Sequence, residues 1–540
     1  MSTAARLGRL VRGAAGEGGD DALPLGLTLV SGAIAVAVLL PLLWLGFRAA
    51  AIGPARAWTL LTRPATVQIL LNSLALVAAV TAGSVLVGVP LAVLTVQTDL
   101  PFRRFWTVAA ALPLVVPSYL GAFAFVSAFG PHGVLADALA PVGIASLPRI
   151  YGFHGAVLVL TLFTYPYVFL TTRATLLSFD ATLVEAARTL NHTRWGAFRR
   201  IVLPQLTPGI AAGALLVALY SLADFGTPAI MHYDVFTRVI FVEYHAMGRE
   251  FAALVSLQLL SVTAVILALE SRVSGGDRAA YVSGGARRPG RISLGRWRYP
   301  ATAFAGAVAA LCLAVPLGVF GFWLVHRSPG PGGFAFEWAF AWNSVSVAAL
   351  AAGAAVLAAL PVAYLSARYR STVATLVDRA TYVGYAVPGI VLGLALVYFG
   401  SSYAHVLYQT LPLLVFAYVV RFMPQAVGAI RSSVLQVDPA LVEAARTLGH
   451  SPGAAFRRVV LPLIAPGVAA GAALVFLTTM KELPATLLLR PTGFDTFVTY
   501  IWQVQGAGYY GQAAVPALVL VGISALSMVL ILAREGTDVE

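Results

Sequence analysis

The chain has 540 residues, of which 59% are hydrophobic and only 11% are charged. Soluble domains carry about 25% charged residues, so this composition excludes an ordinary soluble enzyme. The formal net charge of +13 comes almost entirely from arginine, because Lys481 is the only lysine. Such a basic excess is typical of a nucleic-acid-binding protein or of a membrane protein with basic loops. The placement of the arginines decides between these two classes.

Continuously apolar runs predict an all-α, polytopic membrane protein with about twelve transmembrane helices, because a spanning helix needs about 20 apolar residues. The predicted helices cover residues 24–47, 69–96, 105–129, 153–172, 206–231 and 251–270, and then residues 300–325, 343–367, 380–402, 408–430, 464–489 and 512–533. The first run is longer than the apolar region of a signal peptide, so we interpret it as a retained helix.

The N-terminal tail, the loops after even-numbered helices and the C-terminus together hold most of the arginines. By the positive-inside rule, this asymmetry places both termini in the cytoplasm. The basic excess is then a signal of topology in a lipid bilayer, and we expect no nucleic-acid partner. Residues 271–299, rich in Gly, Ser and Arg, are expected to form a flexible cytoplasmic linker, which could also bind anionic lipid headgroups.

An internal repeat divides the chain into two similar halves, residues 1–270 and 300–540. A shift of 258 residues aligns residues 180–219 with residues 438–477, and 26 of the 40 positions are identical. Upstream, a shift of 271 residues aligns Asn72-Ser73 with Asn343-Ser344 and Val116-Pro117 with Val387-Pro388. Since six helices separate equivalent positions, we predict two parallel six-helix repeats related by an axis along the membrane normal.

The best-matched part of the repeat is a pair of cytoplasmic loops, near residues 180–204 and 438–462. Each loop begins with an Asp that starts a short helix, continues through a turn and a basic amphipathic stretch, and ends in a Leu-Pro pair. Loops usually vary more than the elements they connect, so two matched loops predict a twofold-symmetric cytosolic partner. The alternative is that gene duplication copied ordinary interfacial loops.

At these residues the chain resembles the permeases of ABC importers, whose cytoplasmic signature is Glu-Ala-Ala, three residues, Gly, nine residues, Ile, one residue and Leu-Pro. The first loop carries at these positions Glu185, Ala186, Ala187, Asn191, Leu203 and Pro204. The second loop carries Glu443, Ala444, Ala445, Gly449, Leu461 and Pro462. Asn191 departs from the Gly, but Asn tolerates the left-handed turn conformation. The resemblance implies a type I importer permease of the bacterial plasma membrane, with both loops docked into an ATPase dimer.

The chain is expected to be a transport subunit rather than an enzyme. A phosphate-binding loop needs a lysine in the pattern Gly-x4-Gly-Lys-Ser/Thr, whereas Lys481 stands in Met-Lys-Glu-Leu-Pro. ATP and Mg²⁺ are therefore expected on the partner ATPase, and no cofactor is expected on this chain. The single cysteine, Cys312, and the scattered histidines offer no firm metal site.

Two acidic residues lie inside apolar segments, where charges are costly and are functional candidates by default. Asp224 and Glu482 are equivalent by the shift of 258 residues, and each stands at a predicted helix break. Two equivalent carboxylates that flank a twofold axis would attract a hard cation, so we expect them to line the translocation path. The alternative is structural: Glu482 neutralises Lys481 or Arg421, and Asp224 caps a kink.

Around these carboxylates the resemblance extends to ferric-iron importer permeases, through residues 165–167, 222–227 and 481–491. It implies ferric iron as the cargo, with thiamine, phosphonate or polyamine as alternatives, and an extracytoplasmic substrate-binding protein as a further partner. Tyr165 and Tyr167 could add oxygen ligands to the path or simply pack. A gradient-driven secondary carrier can also have twelve helices in parallel halves, but it has no need of twin loops.

The outer segments 233–250 and 491–511 follow the two predicted helix breaks. They contain Tyr244, Trp502, Tyr509 and Tyr510. We expect these aromatic side chains to be exposed and to form a docking surface for the substrate-binding protein. An aromatic belt at the membrane interface is the alternative.

Overall fold

The computed structural model describes residues 23–130, 133–134, 150–178, 196, 199–200, 203–274, 292–326 and 336–536. These residues form helices and no strand, and their one isolated β-bridge pairs Thr98 with Ile292. The predicted all-α class is therefore confirmed.

The helices alternate with short connections along the whole described chain. In the first part they are α1 (Leu25–Ala50), α2 (Pro54–Leu61), α3 (Pro64–Gln97), α4 (Arg103–Ala111), α5 (Ser118–Phe129), α6 (Phe153–Leu177), α7 (Leu203–Ala223), α8 (Gly226–Ile230), α9 (Phe236–His245), α10 (Arg249–Ser274), α11 (Arg298–Ala309) and α12 (Val315–Val325). In the second part they are α13 (Trp338–Arg368), α14 (Thr372–Ala386), α15 (Gly389–Ser402), α16 (Leu411–Gln436), α17 (Pro439–Thr447), α18 (Pro452–Ala455), α19 (Leu461–Met480), α20 (Pro484–Leu489), α21 (Phe497–Gly506) and α22 (Ala514–Gly536).

Nine helices of the described chain are long and apolar enough to cross a membrane, and two bent helix pairs raise this number to eleven. A shorter apolar helix, Tyr510–Ala525, lies at the position of the twelfth predicted span. The protein is therefore a multi-pass membrane protein, as predicted. The cytoplasmic location of its termini stays a prediction.

Two predicted spans are bent rather than straight. The segment predicted at 105–129 bends by 96° before Ser118, and the segment predicted at 380–402 bends by 101° before Gly389. Each bend lies at a Val-Pro pair, and both Val116 and Val387 have extended backbone. The proline ring disfavours helical geometry in the residue before it, which explains why both spans bend at equivalent positions.

The chain forms two compact units that do not follow the halves of the repeat. The C-unit comprises Met1–Arg48 and Glu337–Thr499, and the N-unit comprises Ala49–Phe336 and Tyr500–Glu540. Each unit therefore combines most of one half with a terminal segment of the other. The predicted domains 1–270, 271–299 and 300–540 follow the sequence repeat. Whether each of them is a separate domain stays a prediction.

Aromatic contacts attach each terminal segment to its unit. In the C-unit, the Trp44 ring of α1 contacts the Tyr403 ring with centroids 4.2 Å apart. In the N-unit, Tyr510 contacts Phe123 with centroids 5.4 Å apart. The first pair is edge-on and the second is tilted. Offset and edge-on aromatic pairs stabilise packing beyond the area that they bury.

The aligned Asn-Ser pairs of the two halves make the same contacts in their own units. The Asn72 amide donates to the Asp234 carbonyl at 2.9 Å, and the Asn343 amide donates to the Asp495 carbonyl at the same distance. The neighbouring Ser73 and Ser344 hydroxyls accept backbone N–H groups of Phe236 and Phe497. In each half, these hydrogen bonds connect the segment after the helix break to the N-terminal part of the longest helix, which is α3 in the first half and α13 in the second.

Glycines allow close helix packing at equivalent positions of both halves. A Cβ added at Gly213 of α7 would lie 2.6 Å from the Val168 Cα of α6, and one added at Gly471 of α19 would lie 3.0 Å from the Ala426 Cα of α16. Each glycine has another four residues before it in the sequence. Small residues at this spacing are a common membrane-helix packing motif, because they let backbones approach.

Replacing Gly213 or Gly471 with valine should destabilise the protein by about 1–3 kcal/mol, since the new side chain would push two tightly packed helices apart. Thermal unfolding of the purified protein in detergent measures the effect. Gly353 has no atom within 4 Å of an added Cβ, so Gly353→Val is the matched control. Equal melting temperatures for all three variants would contradict this interpretation of the packing.

Candidate functional site

We name the two matched loops, residues 180–204 and 438–462, the first and second coupling loops after the ATPase-coupling role that the resemblance implies. The second coupling loop starts with a well-capped helix. α17 begins at Pro439, and the Asp438 side chain accepts a hydrogen bond from the Ala440 N–H at 2.9 Å. Proline at the first helical position and an aspartate cap both favour a helix start. The Arg368 guanidinium donates to the Val437 carbonyl at 2.8 Å, which fixes the loop to the end of α13.

Gly449 forms the turn after α17 with a φ of 86°, in the left-handed region that glycine adopts without strain. Its N–H donates to the Arg446 carbonyl at 3.0 Å, and the His450 N–H donates to the Ala445 carbonyl at 3.1 Å. These bonds satisfy carbonyl groups at the helix end. An added Cβ at Gly449 would meet no atom within 4 Å, so the backbone conformation alone explains the preference for glycine.

Most of α17 is exposed, and its exposed side chains are both apolar and acidic. Leu441 and Leu448 are 48% and 81% exposed, and Glu443 and Ala444 are also exposed. Ala445 is buried and lies on the same side of the helix as Leu441, whereas Glu443 lies on the far side, away from this contact. Exposed leucines at the edge of the buried side, together with an exposed glutamate, give the loop a small surface suited to a protein partner.

The return stretch of the loop joins this helix to the membrane span. Phe456 packs edge-on against Tyr364 of α13 with centroids 5.2 Å apart, while Arg457 and Arg458 are exposed. A π-helical segment, Phe456–Val460, leads into α19, which Leu461 and Pro462 open. The predicted second coupling loop therefore has the expected order of helix, turn, basic stretch and Leu-Pro helix start.

Most of the first coupling loop lies outside the described residues. This applies to Glu185, Ala186, Ala187 and Asn191, whose predicted role stays a prediction. Leu203 and Pro204 open α7, just as the equivalent Leu-Pro pair opens α19.

Asp224 lies at a break between α7 and α8 of the N-unit and is partly exposed. Its carboxylate accepts hydrogen bonds from the Ser118 hydroxyl at 2.5 Å and from the Thr227 N–H at 2.9 Å. The Thr237 hydroxyl donates to the Asp224 carbonyl at 2.7 Å, and the Tyr220 hydroxyl donates to Ser118 at 3.2 Å. Asp224 therefore caps α8, with hydroxyl and backbone groups among its donors.

Glu482 lies at the equivalent break of the C-unit, between α19 and α20, and is only 6% exposed. Its carboxylate accepts a hydrogen bond from Arg421 Nη1 at 3.1 Å and from the Ala485 N–H at 3.2 Å. The Thr486 hydroxyl donates to the Glu482 carbonyl, and Tyr418 bonds to Thr486 at 2.7 Å. Glu482 thus also caps the next helix, but its charge is paired with a guanidinium.

The two halves differ in what stands beside the equivalent carboxylates. Ser118, which donates to Asp224, aligns with Gly389 at the other helix bend, and Arg421 aligns with Phe163. A Cβ at Gly389 would overlap both Arg421 Nη1 and Glu482 Oε1. Glycine at this bend therefore makes room for the arginine, and serine at the other bend takes its place as a hydrogen-bond donor.

The contacts of Asp224 and Glu482 agree with the structural alternative stated in the sequence analysis, in which the two acids stabilise the helix breaks. Glu482 pairs with Arg421, and Asp224 caps the helix after its break. Tyr165 is fully buried, as expected for a packing residue. Tyr167 is partly exposed and its ring packs 5.9 Å from that of Tyr220. Contact of these four sequence-predicted residues with a cargo stays a prediction.

Sequence analysis missed the serine and glycine at the helix bends. The aligned Val-Pro pairs were the available signal, because Ser118 and Gly389 directly follow them. Their importance depends on contacts with residues 106 and 93 positions away, Asp224 and Glu482, and no local pattern reports such contacts.

The expectation of exposed aromatic side chains on the outer segments was wrong. Tyr244, Trp502, Tyr509 and Tyr510 are all only partly exposed. Trp502 packs against Phe225 with centroids 5.2 Å apart. Packing of Trp502 next to the first helix break stabilises its segment, and the partial burial of all four rings leaves less aromatic surface for a partner.

Glu482→Gln should destabilise the protein more than Asp224→Asn. Removing the acid of a buried ion pair leaves Arg421 without its counter-charge, which typically costs about 3–5 kcal/mol. The amide of Asp224→Asn keeps one oxygen that can accept from the Ser118 hydroxyl or from the Thr227 N–H. The free energy of unfolding is therefore expected to fall by about 1 kcal/mol. Thermal unfolding in detergent compares the two variants. The double variant Arg421→Met with Glu482→Leu should recover much of the loss, and equal effects of the single variants would contradict the pairing argument.

Both loops and both carboxylates lie within regions that match a known protein family. The family described as binding-protein-dependent transport system inner membrane component matches the chain twice, over residues 84–273 and 335–534. Each match includes one coupling loop and one of the two carboxylates. The repeat found in the sequence is therefore a repeat of this family unit.

Several known permeases are similar over most of the chain. The Fe(3+)-transport system permease protein FbpB 2 of Haemophilus influenzae is 32% identical over 94% of this chain and 98% of its own length. The probable ABC transporter permease protein y4fN of Sinorhizobium fredii is 26% identical over 95% of both chains. The ferric transport system permease protein FbpB of Actinobacillus pleuropneumoniae is 23% identical over 84% of this chain and 69% of its own length.

Proposed function

Since the chain belongs to the binding-protein-dependent transport system inner membrane component family, we propose that it is the permease of an ATP-driven importer of ferric iron. It is a multi-pass inner-membrane transport subunit. The observation that carries the choice of iron is the similarity to an Fe(3+)-transport permease over nearly the full length of both chains. Both termini are cytoplasmic in this proposal.

The proposed energy source is a separate ATPase dimer that docks one subunit on each coupling loop. The exposed side chains of α17 and its C-cap, among them Leu441, Glu443 and Leu448, support this role for the second loop. The matching sequence supports it for the first loop. ATP and Mg²⁺ bind to the partner, and closure of the ATPase dimer moves both loops and the helices that they open.

Charge reversal in either loop should weaken ATPase binding. Glu443→Arg and Glu185→Arg are each expected to reduce the co-purified ATPase by at least about tenfold, because a lost interfacial charge contact leaves its partner desolvated. Pull-down from detergent-solubilised membranes measures the bound ATPase. Glu337→Arg reverses an exposed glutamate outside both loops and is the control. Unchanged co-purification with the double variant Glu185→Arg, Glu443→Arg would exclude this docking mode.

The proposed translocation path includes Asp224 and Glu482, with different roles. Hard cations prefer carboxylate oxygen, and Asp224 is the more exposed of the two. We assign transient contact with the iron to Asp224. The Glu482 carboxylate is engaged by Arg421 and holds the second helix break. Few oxygen contacts suit passage, because a full ligand cage would oppose release.

A substrate-binding protein is the proposed donor of iron at the outer surface. The segments 233–250 and 491–511 supply α9 and α21 there, and each is fastened by an asparagine side chain. Val242 and Met247 are 46% and 72% exposed on the first of these segments. This apolar surface supports docking better than the half-buried aromatic rings do.

Asp224→Asn should reduce iron uptake by about tenfold, because loss of one charge-assisted contact costs about 1.5 kcal/mol. Uptake of radiolabelled iron is measured in vesicles containing the permease, the ATPase and the binding protein. Glu482→Gln is compared at a temperature well below its melting temperature, and Glu337→Gln is the control. Tyr165→Phe should transport normally because this ring packs.

Three outcomes are informative. If both amide variants transport at the wild-type rate with unchanged ATP turnover, the carboxylates are structural and the assigned path is wrong. Uptake of thiamine, a phosphonate or a polyamine in place of iron would leave the importer intact and replace only the cargo. Iron uptake that persists on an ion gradient without the ATPase would exclude an ATP-driven importer.

A further inference from the structure

A basic cavity lies in the C-unit where α13 ends, α14 begins and α16 passes. Its volume is about 710 Å³, and its charged lining residues are Arg370, Arg379, Arg431 and Asp378. Asp378 pairs with Arg431 at 3.0 Å. Three arginines against one aspartate leave the lining with an excess of two positive charges.

The cavity lies at the same end of the helices as the second coupling loop. Leu435 lines the cavity, and α17 of the loop begins four residues later at Pro439. Arg368 at the end of α13 also donates to the carbonyl of Val437. In the proposed topology this is the cytoplasmic end, at the level of the inner leaflet.

The donors around the cavity suit a phosphate group. Arg370 and Arg379 are exposed, so their guanidinium forks are accessible to phosphate oxygens. Ser371, Thr372 and Thr375 add hydroxyl groups to the lining. Ser371 also caps α14, a helix of 15 residues, whose first N–H groups favour an anion.

Apolar side chains lie beside the arginines of the cavity, and a soluble anion would make no contact with them. Leu376 and Leu435 both line the cavity, and each is 61% exposed. Exposed leucines next to arginines at the end of a membrane span match the boundary between the acyl chains and headgroups of a phospholipid.

The first half does not repeat this cavity. Arg370 and Arg379 align with Asp99 and Val108. Asp99 accepts the Leu294 N–H at 2.8 Å and donates its own N–H to the Ile292 carbonyl at 3.2 Å. The Leu294 N–H holds the pKa of the Asp99 carboxyl below its ordinary value. The end of the linker thus covers the turn in the first half, whereas the equivalent turn of the second half lines an open basic cavity.

We propose that this cavity binds the phosphate group of an anionic phospholipid from the cytoplasmic leaflet. The phosphate oxygens accept hydrogen bonds from Arg370 and Arg379, and the acyl chains lie along Leu376 and Leu435. Basic pockets between membrane helices on the cytoplasmic side are suited to anionic headgroups. The site is independent of the cargo and of the proposed iron path.

The test is retention of phosphatidylglycerol against phosphatidylcholine by the full-length protein, measured by native mass spectrometry in detergent. The double variant Arg370→Gln with Arg379→Gln should bind phosphatidylglycerol about thirtyfold more weakly, since each of the two basic residues near the headgroups contributes about 1 kcal/mol. The control, Arg103→Gln with Arg104→Gln, removes the same charge at the start of α4, outside the cavity. It should retain phosphatidylglycerol as the wild type does.

Equal phosphatidylglycerol retention by the wild type and the cavity variant, with unchanged melting temperatures, would overturn the proposal. If the double variant does not fold, Arg370→Gln alone should show a smaller loss in the same direction. A second arm measures orthophosphate binding to lipid-depleted protein by equilibrium dialysis. Saturable orthophosphate binding without a preference for phosphatidylglycerol would assign the cavity to a soluble anion and overturn the lipid assignment.

Discussion

Backbone N–H and C=O groups inside a bilayer must find partners within the protein, and the two helix breaks are where this constraint is most demanding. At each break an acidic side chain accepts an N–H group of the next helix, and a threonine hydroxyl donates to the carbonyl of the same acid. These contacts join Asp224 to Thr227 and Thr237, and Glu482 to Ala485 and Thr486. The acids are therefore part of the architecture, and any contact with a cargo uses groups that the fold already holds in place.

The backbone groups at the helix break are satisfied in the same way in both halves, but the carboxylate beside each break has different neighbours. Beside Glu482 a guanidinium supplies a full positive charge, whereas a serine hydroxyl is among the donors to Asp224. The coupling loops lie in the best-matched part of the repeat, where 26 of 40 positions are identical. The two halves of the permease are therefore most similar in the loops, where a symmetric partner is proposed to dock. They differ in the residues that contact the acidic side chains at the helix breaks.

The sequence predicted those features that depend on local pattern. Apolar runs located most of the spans, the repeat located the second loop, and the Pro-containing motifs after Asp224 and Glu482 located the helix breaks. The 96° and 101° bends were missed although each has a Val-Pro pair, because a proline within an apolar run is also compatible with a straight membrane helix. The packing of α1 with the second half was not predictable, since periodicity shows that a face is apolar but not which helix covers it. The choice between Arg421 and Lys481 as the partner of Glu482 also required coordinates.

Gly389 has an evolutionary consequence, because it limits the order in which this region can change. A side chain at 389 would overlap the Arg421–Glu482 pair, so it becomes acceptable only after Arg421 is lost. Loss of Arg421 alone would leave Glu482 buried without its counter-charge. Each single step is therefore unfavourable, although the combination of Ser118 and Phe163 fits the first half. The two arrangements of this helix bend are therefore separated by less stable intermediates, so a change from one to the other requires at least two substitutions together.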